Sequence, residues 1–169
     1  RRRALANACL RLATGRSGRE LCVTPPALPV GYRLEAAVPS LEDYRRLRME
    51  TGLSPRARVA AERGLAGSLF AVQLVHEGRV VGMARVIGDG GCFFQVVDVA
   101  VDPGHQGSGL GKVLMAAVLE WLAAHVPETG YVSLLADVPA DGLYAQFGFR
   151  PTAPATVGMA LDPSMLRGS

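Results

Sequence analysis

The stretch VVDVAVDPGHQGSGLGKVLM, residues 96–115, constrains the fold of this chain more than any other. Its β-branched opening reads as a strand, and Pro103 and Gly104 end that strand. Leu110, Val113, Leu114, Ala117, Val118, Trp121 and Leu122 then recur at i, i+3, i+4 and i+7, which predicts an amphipathic helix over 107–125. Between strand and helix lie Gly107, Gly109 and Gly111. They let the backbone approach a ligand closely while the helix's first N–H groups point out of its end, an arrangement suited to phosphate. A plain turn is the alternative on local grounds. Two familiar phosphate motifs do not fit: a P-loop needs Gly and Ser or Thr where Gln106 and Val113 stand, and a dinucleotide fingerprint from Gly107 needs a small residue where Lys112 stands. Lys112 is the chain's one lysine against 17 arginines. It falls in the first helical turn, where a cation opposes the helix dipole unless an anion compensates.

The other segments are consistent with an α/β fold. A strand is predicted over 32–38. Ser40 then caps a helix running to about Met49, and a second helix has Pro55 in its first turn and ends near Gly64. Residues 69–102 read as a three-strand meander, with turns at Glu77-Gly78 and Asp89-Gly90-Gly91. A strand over 131–136, a short helix over 140–147 and two short strands near 149–152 and 156–161 complete the order. The expected sheet is therefore central, mixed, mostly antiparallel and twisted, with helices on both faces. With 169 residues, 49% of them apolar, there is room for one domain and an extension. Residues 1–30, with Pro25, Pro26 and Pro29, are expected to be a flexible basic extension ahead of a domain spanning 31–169.

Charge and cysteine usage exclude several classes. The net charge of +3 comes from the extension, whose six arginines face one glutamate, so the body after residue 30 carries −2. A mildly acidic body lacks the gathered basic face of a nucleic-acid binder. Cys9, Cys22 and Cys92 form no C-x-x-C pair, which argues against a disulfide framework and a zinc site, and no metal is expected. The longest nearly apolar run, Val113 to Val126, is interrupted by Glu120 and His125 and falls short of the ~20 residues of a membrane span. The opening RRRALANACLRLA is broken by Arg11 and reads as a dispensable leader, so a cytoplasmic protein is expected.

Gln106-Gly107-Ser108-Gly109-Leu110-Gly111 resembles the Q/R-x-x-G-x-G/A signature of the GNAT superfamily of acyl-CoA-dependent N-acetyltransferases. Leu143-Tyr144-Ala145-Gln146-Phe147-Gly148-Phe149 is similar to its second signature, a helix-to-strand junction, at the matching place in the element order. The resemblance covers residues 31–161 and implies the GNAT fold and acetyl-CoA. The pyrophosphate is expected on the backbone of Gln106, Gly107, Ser108, Gly109, Leu110, Gly111 and Lys112, and the pantetheine arm along Val99, Ala100 and Val101. It also implies a bulge that splays this strand from its neighbour. Asp137 stands where many members carry Asn, so no Asn-type cofactor contact is carried over.

Amine attack on a thioester needs the ammonium proton removed, the oxyanion stabilised and the thiolate protonated. By resemblance, Tyr144 is the acid; packing between helix and sheet is its alternative. Asp98 shares a strand face with Ala100, and a carboxylate there needs a partner. It is expected to act on the amine as base or ammonium ligand, or else to accept hydrogen bonds structurally. The backbone N–H of Val99 or Ala100 is the expected oxyanion donor. His76, His105 and His125 read as structural or solvated, and Glu42, Asp43 and Glu50 as a wet helix face. The expectation is a GNAT-type enzyme that transfers acetyl from acetyl-CoA directly to the primary amine of a small molecule such as a polyamine, arylalkylamine, aminosugar or amine antibiotic. Its partners would be that amine and at most a second copy in a homodimer, with no nucleic acid and no membrane. The alternatives are a protein lysine or N-terminal acetyltransferase and a non-catalytic acyl-CoA sensor.

Overall fold

In the computed structural model, which describes residues 10–14, 19–24 and 26–166, the expected meander forms the middle of a five-stranded sheet. Strands β3 (Tyr32–Glu35), β4 (Phe70–His76), β5 (Arg79–Gly88) and β6 (Phe93–Val101) pair antiparallel in sequence order. Helix α3 (Leu110–His125) then returns the chain to β7 (Tyr131–Leu134), which pairs parallel to β6. The sheet is thus mixed and mostly antiparallel. Helices α1 (Leu41–Glu50) and α2 (Arg58–Ala66) connect β3 to β4, and a short α4 (Asp141–Ala145) follows β7.

Each face of the sheet has its own apolar core. Val72, Leu74, Val81, Ala84, Val86, Phe94 and Val96 meet Leu110, Val113, Leu114, Met115, Val118 and Leu122 of α3. Burying each large aliphatic side chain contributes about 1.5–3 kcal/mol before conformational entropy is subtracted. On the opposite face Val75, Val80, Met83 and Ala100 meet Tyr44 and Leu47 of α1 and Ala61 and Leu65 of α2. Ser40 caps α1 by accepting from the Asp43 N–H at 3.0 Å, as its sequence position predicts.

Strand β6 carries the feature that opens the molecule. Met83 pairs with Ala100 and Arg85 with Val97, so Ala84 alone faces both Asp98 and Val99. This is a β-bulge, and Asp98 takes the left-handed conformation within it, with φ +55°. The ladder to β7 runs from Phe93–Tyr131 to Val96–Leu134 and stops there, while β6 continues to Val101. The bulge expected by resemblance is present, and beyond it the two strands part.

Three expectations are corrected. No strand forms at 149–152 or 156–161: Pro151 and Pro154 lack the N–H a ladder needs, and a turn closed by Thr156 N–H to the Thr152 carbonyl at 3.1 Å occupies the middle. Val157, Met159 and Leu161 keep a strand's period of two but lie exposed. Strand β3 ends at Glu35, where a tight turn from Ala37 N–H to the Glu35 carbonyl leaves the ladder. Helix α2 begins at Arg58, so Pro55 lies before it. The expected flexible extension contains an antiparallel ribbon of β1 (Leu10–Thr14) and β2 (Arg19–Val23), its residues 1–9, 15–18 and 25 lying outside the described ones. Its end also packs on the body: Leu28 lies against the α3-side core, and Pro26 Cγ is 3.1 Å from where a side chain on Gly109 would begin. Packing therefore starts before the boundary expected at residue 30.

Candidate active site

The separation of β6 from β7 leaves a cleft of about 520 Å³. Its walls are Val99, Ala100 and Val101 of β6, Gln106, Gly107, Gly109, Leu110, Gly111 and Lys112 of the glycine loop, and Ala140, Leu143 and Tyr144 at α4. Nine of the ten expected cofactor-binding positions thus line one space. The tenth, Ser108, turns its hydroxyl back to the His105 carbonyl at 2.9 Å and stays outside.

The loop's conformation follows from its residues. Asp102 accepts the Gly104 N–H at 3.0 Å and starts a 3₁₀ turn over Pro103–His105. The Gln106 side chain donates to the Val101 carbonyl at 2.8 Å, tying the loop to the end of β6. Gly107 and Gly109 both sit at φ +80°, where a Cβ is disfavoured. Helix α3 begins without a side-chain cap, and the N–H groups of residues 107–111 find no acceptor among the described residues. Helix termini need partners for these donors, so the loop fits an anionic oxygen-rich group such as a pyrophosphate. Lys112 is exposed beside them with no acidic partner among the described residues.

Tyr144 stands half-buried in the wall of the cleft, edge to face with Phe149 at 6.4 Å between ring centroids. Burial, and then the negative charge of Asp137, push its phenol above the ordinary value of 10.0. It therefore holds its proton throughout the neutral range, as a donor to a departing thiolate must.

Asp98 is a correction. Its Oδ1 accepts from Arg48 Nη1 of α1 and its Oδ2 from Arg85 Nη1 of β5 at 2.7 Å, and all three side chains are at most 6% exposed. The Tyr44 ring lies over both guanidinium groups, 5.6 and 5.5 Å from its centroid. With both oxygens engaged by buried guanidinium groups, the carboxylate offers neither freely to an amine, so it is a structural counter-ion. Sequence reasoning missed its partners, although each left a signal. Arg85 interrupts an apolar strand one pair away from Asp98 across a hairpin, opposite Val97, and Arg48 follows Leu41 and Tyr44 at helical spacing on the buried face of α1.

None of the three histidines lines the cleft. Tyr32 Oη and His105 Nδ1 are 2.7 Å apart, and the Tyr32 ring packs against His76. His125 bonds the Trp121 carbonyl at 2.7 Å and stacks on its ring. Of the α1 acids, Asp43 and Glu50 pair with Arg46, away from the cleft.

The sequence profile of the acetyltransferase (GNAT) family matches residues 38–149, two thirds of the chain. The chain belongs to the GNAT acetyltransferase family. A crystal structure from meticillin-resistant Staphylococcus aureus, of the protein of unknown function SA2161 given there as a probable acetyltransferase, superposes with a TM-score of 0.74. It is 45% identical and covers 78% of this chain and 98% of that one. The histone acetyltransferase TAP1 of Glycine max is 32% identical over 118 residues, 66% of this chain and 50% of that protein. The chloroplastic serotonin N-acetyltransferase 2 of Oryza sativa subsp. japonica is 38% identical over 93 residues, 54% of this chain and 40% of that protein. The chain thus spans half or less of these two curated relatives. GNAT enzymes act on acceptor substrates and generally use acetyl-CoA, and the donors left open by the glycine loop are those a pyrophosphate needs.

Proposed function

We propose that this enzyme transfers the acetyl group of acetyl-CoA to the primary amine of a small molecule in the cleft between β6 and α4. The observation that carries this reading is the convergence of the open N–H groups of the glycine loop, the unpaired half of β6 and the Tyr144 hydroxyl-bearing ring on one space. Acetyl-CoA supplies an activated thioester. The loop and Lys112 hold its pyrophosphate, Val99–Val101 guide its arm, and a backbone N–H of Val99 or Ala100 faces the developing oxyanion. Tyr144 gives its proton to the leaving sulfur and regains one from solvent.

Asp98, engaged by two arginines, does not receive the amine. Among the described residues the lining of the cleft carries no carboxylate and no imidazole, so the ammonium proton is lost to water before attack. Two observations support a small cationic amine: the charge of −2 after residue 30, and the name of the rice relative, a serotonin N-acetyltransferase. The name of the soybean relative favours a second reading, a protein lysine as acceptor. As part of the same proposal the enzyme works in a reducing compartment such as the cytoplasm, with Cys92 an exposed free thiol. The test is mass-spectrometric detection of acetylated product from acetyl-CoA and a panel of polyamines, arylalkylamines, aminosugars, aminoglycosides and lysine peptides. Acetylation of peptides alone would replace the small-amine reading with the second one, and CoA release with no amine in the panel would contradict both.

A further inference from the structure

The buried cluster around Asp98 does more than satisfy a carboxylate. The backbone of Asp98 sits at φ +55°, a region that L residues seldom occupy, although Asp tolerates it better than most. The two residues of the bulge, Asp98 and Val99, decide where β6 leaves β7 and therefore where Val99–Val101 stand as a wall of the cleft. The guanidinium groups that grip Asp98 are themselves fixed. Arg85 donates from Nε to Ser68 Oγ at 2.9 Å and from Nη2 to the Gly64 carbonyl at 2.6 Å, which anchors it at the end of α2. Arg48 donates from Nε to the Ser54 carbonyl at 2.8 Å in the α1–α2 connection. Neither arginine lines the cleft.

We infer that Arg48 and Arg85 are positioning residues for acyl transfer: by holding both oxygens of Asp98 they keep the β6 bulge, and with it the Val99–Val101 wall, in place. The kinetic consequence rests on the acetyl-transfer reading; the structural one does not. The clamp ties α1 and α2, on one face of the sheet, to the strand that borders the cofactor on the other. A shift of that wall by a fraction of an ångström misplaces the thioester while leaving the pyrophosphate loop untouched.

The test compares two triple variants, Arg48→Met/Arg85→Met/Asp98→Gly and Arg48→Met/Arg85→Met/Asp98→Ala. Both remove every charge of the cluster, but glycine adopts a positive φ freely and alanine does not. Loss of the clamp should lower kcat in both, and the alanine variant should fall about tenfold or more below the glycine variant, with KM for acetyl-CoA little changed in either. In ligand-free protein the amide signals of Val99–Val101 should move less from their wild-type positions in the first than in the second. Equal kcat and equal amide spectra in the two variants would overturn the proposal. If wild type acetylates nothing, the proposed function fails while the amide comparison still decides the clamp. Should the triple variants not fold, Arg85→Lys keeps a charge on Asp98 but cannot reach both Ser68 and Gly64. Exchange of the Val99 and Ala100 amides should then quicken about tenfold with Phe94 and Val96 unchanged, and equal protection at all four would overturn it.

Discussion

Two cavities meet at Tyr144, and they differ in what their walls offer. The larger, about 850 Å³, lies between the end of α3, β7 and residues 147–158, walled by side chains such as Leu122, Val126, Leu134 and Phe149. The smaller, about 520 Å³, is walled by the glycine loop, the free half of β6 and α4. The larger offers mainly apolar area, which any greasy surface could cover. The smaller offers backbone N–H groups without acceptors and a lysine without an acidic partner among the described residues, and a phenol whose pKa burial raises. Chemistry follows the unsatisfied donors rather than the volume, which supports the proposed acetyl-CoA site in the smaller space.

The sharpest attack on that assignment is Tyr144→Phe, which borders both cavities. It keeps the ring and its contact with Phe149, so turnover should fall about 100-fold while acetyl-CoA affinity and melting temperature hold, as read by pre-steady-state rates and calorimetry. Unchanged single-turnover rates would return Tyr144 to a packing role.

Next in size are two glycine substitutions that separate binding from folding. A side chain at Gly111 begins 3.4 Å from Leu143 Cδ2, an ordinary contact, yet projects beside the loop. Gly111→Val should therefore weaken acetyl-CoA binding about tenfold or more with little loss of stability, measured by isothermal titration. Gly109→Val should weaken binding similarly and also lower the melting temperature, because it must adopt φ +80° against Pro26. Undiminished affinity in both would move the phosphate site elsewhere.

Acidity distinguishes the cleft further. With no base in its lining, kcat/KM for the amine should rise about tenfold per pH unit until the acceptor's own pKa and shift when an amine of different pKa is used. The sign follows from the ammonium's lack of a lone pair. Since burial raises the Tyr144 phenol above its ordinary value, no alkaline fall from its ionisation should enter below about pH 10. An acidic limb fixed at one pH for all amines would reveal an enzymic base. The smallest effect should come from the other cavity: Tyr131→Ser, on its half-exposed wall, should change acetyl-CoA affinity less than about twofold by calorimetry.

The same contrast explains what the sequence disclosed. Gly107 and Gly109 were readable because their backbone conformation excludes other residues, and α3 because its apolar period admits one buried face. Asp98 was recognisable as a charge needing a partner, but its chemistry depended on Arg48, fifty residues away in sequence and brought there only by the packing of α1 across the sheet. The segment 156–161 shows the converse. Its alternation is genuine, but alternation is a property of one chain segment and a strand needs a second, which Pro151, Pro154 and the turn at 152–156 keep from forming there. Proline-rich composition marks a linker and says nothing of Pro26 and Leu28 packing onto the body.

The assignment of the cofactor to the smaller cavity is tested most directly by titrating acetyl-CoA into ¹⁵N-labelled protein and following the backbone amides. The account predicts saturable shifts concentrated at Val99–Val101 and Gly107–Lys112, with the amides of Leu122, Val126 and Arg150 little moved. Shifts centred on those last three, with the glycine loop silent, would contradict it.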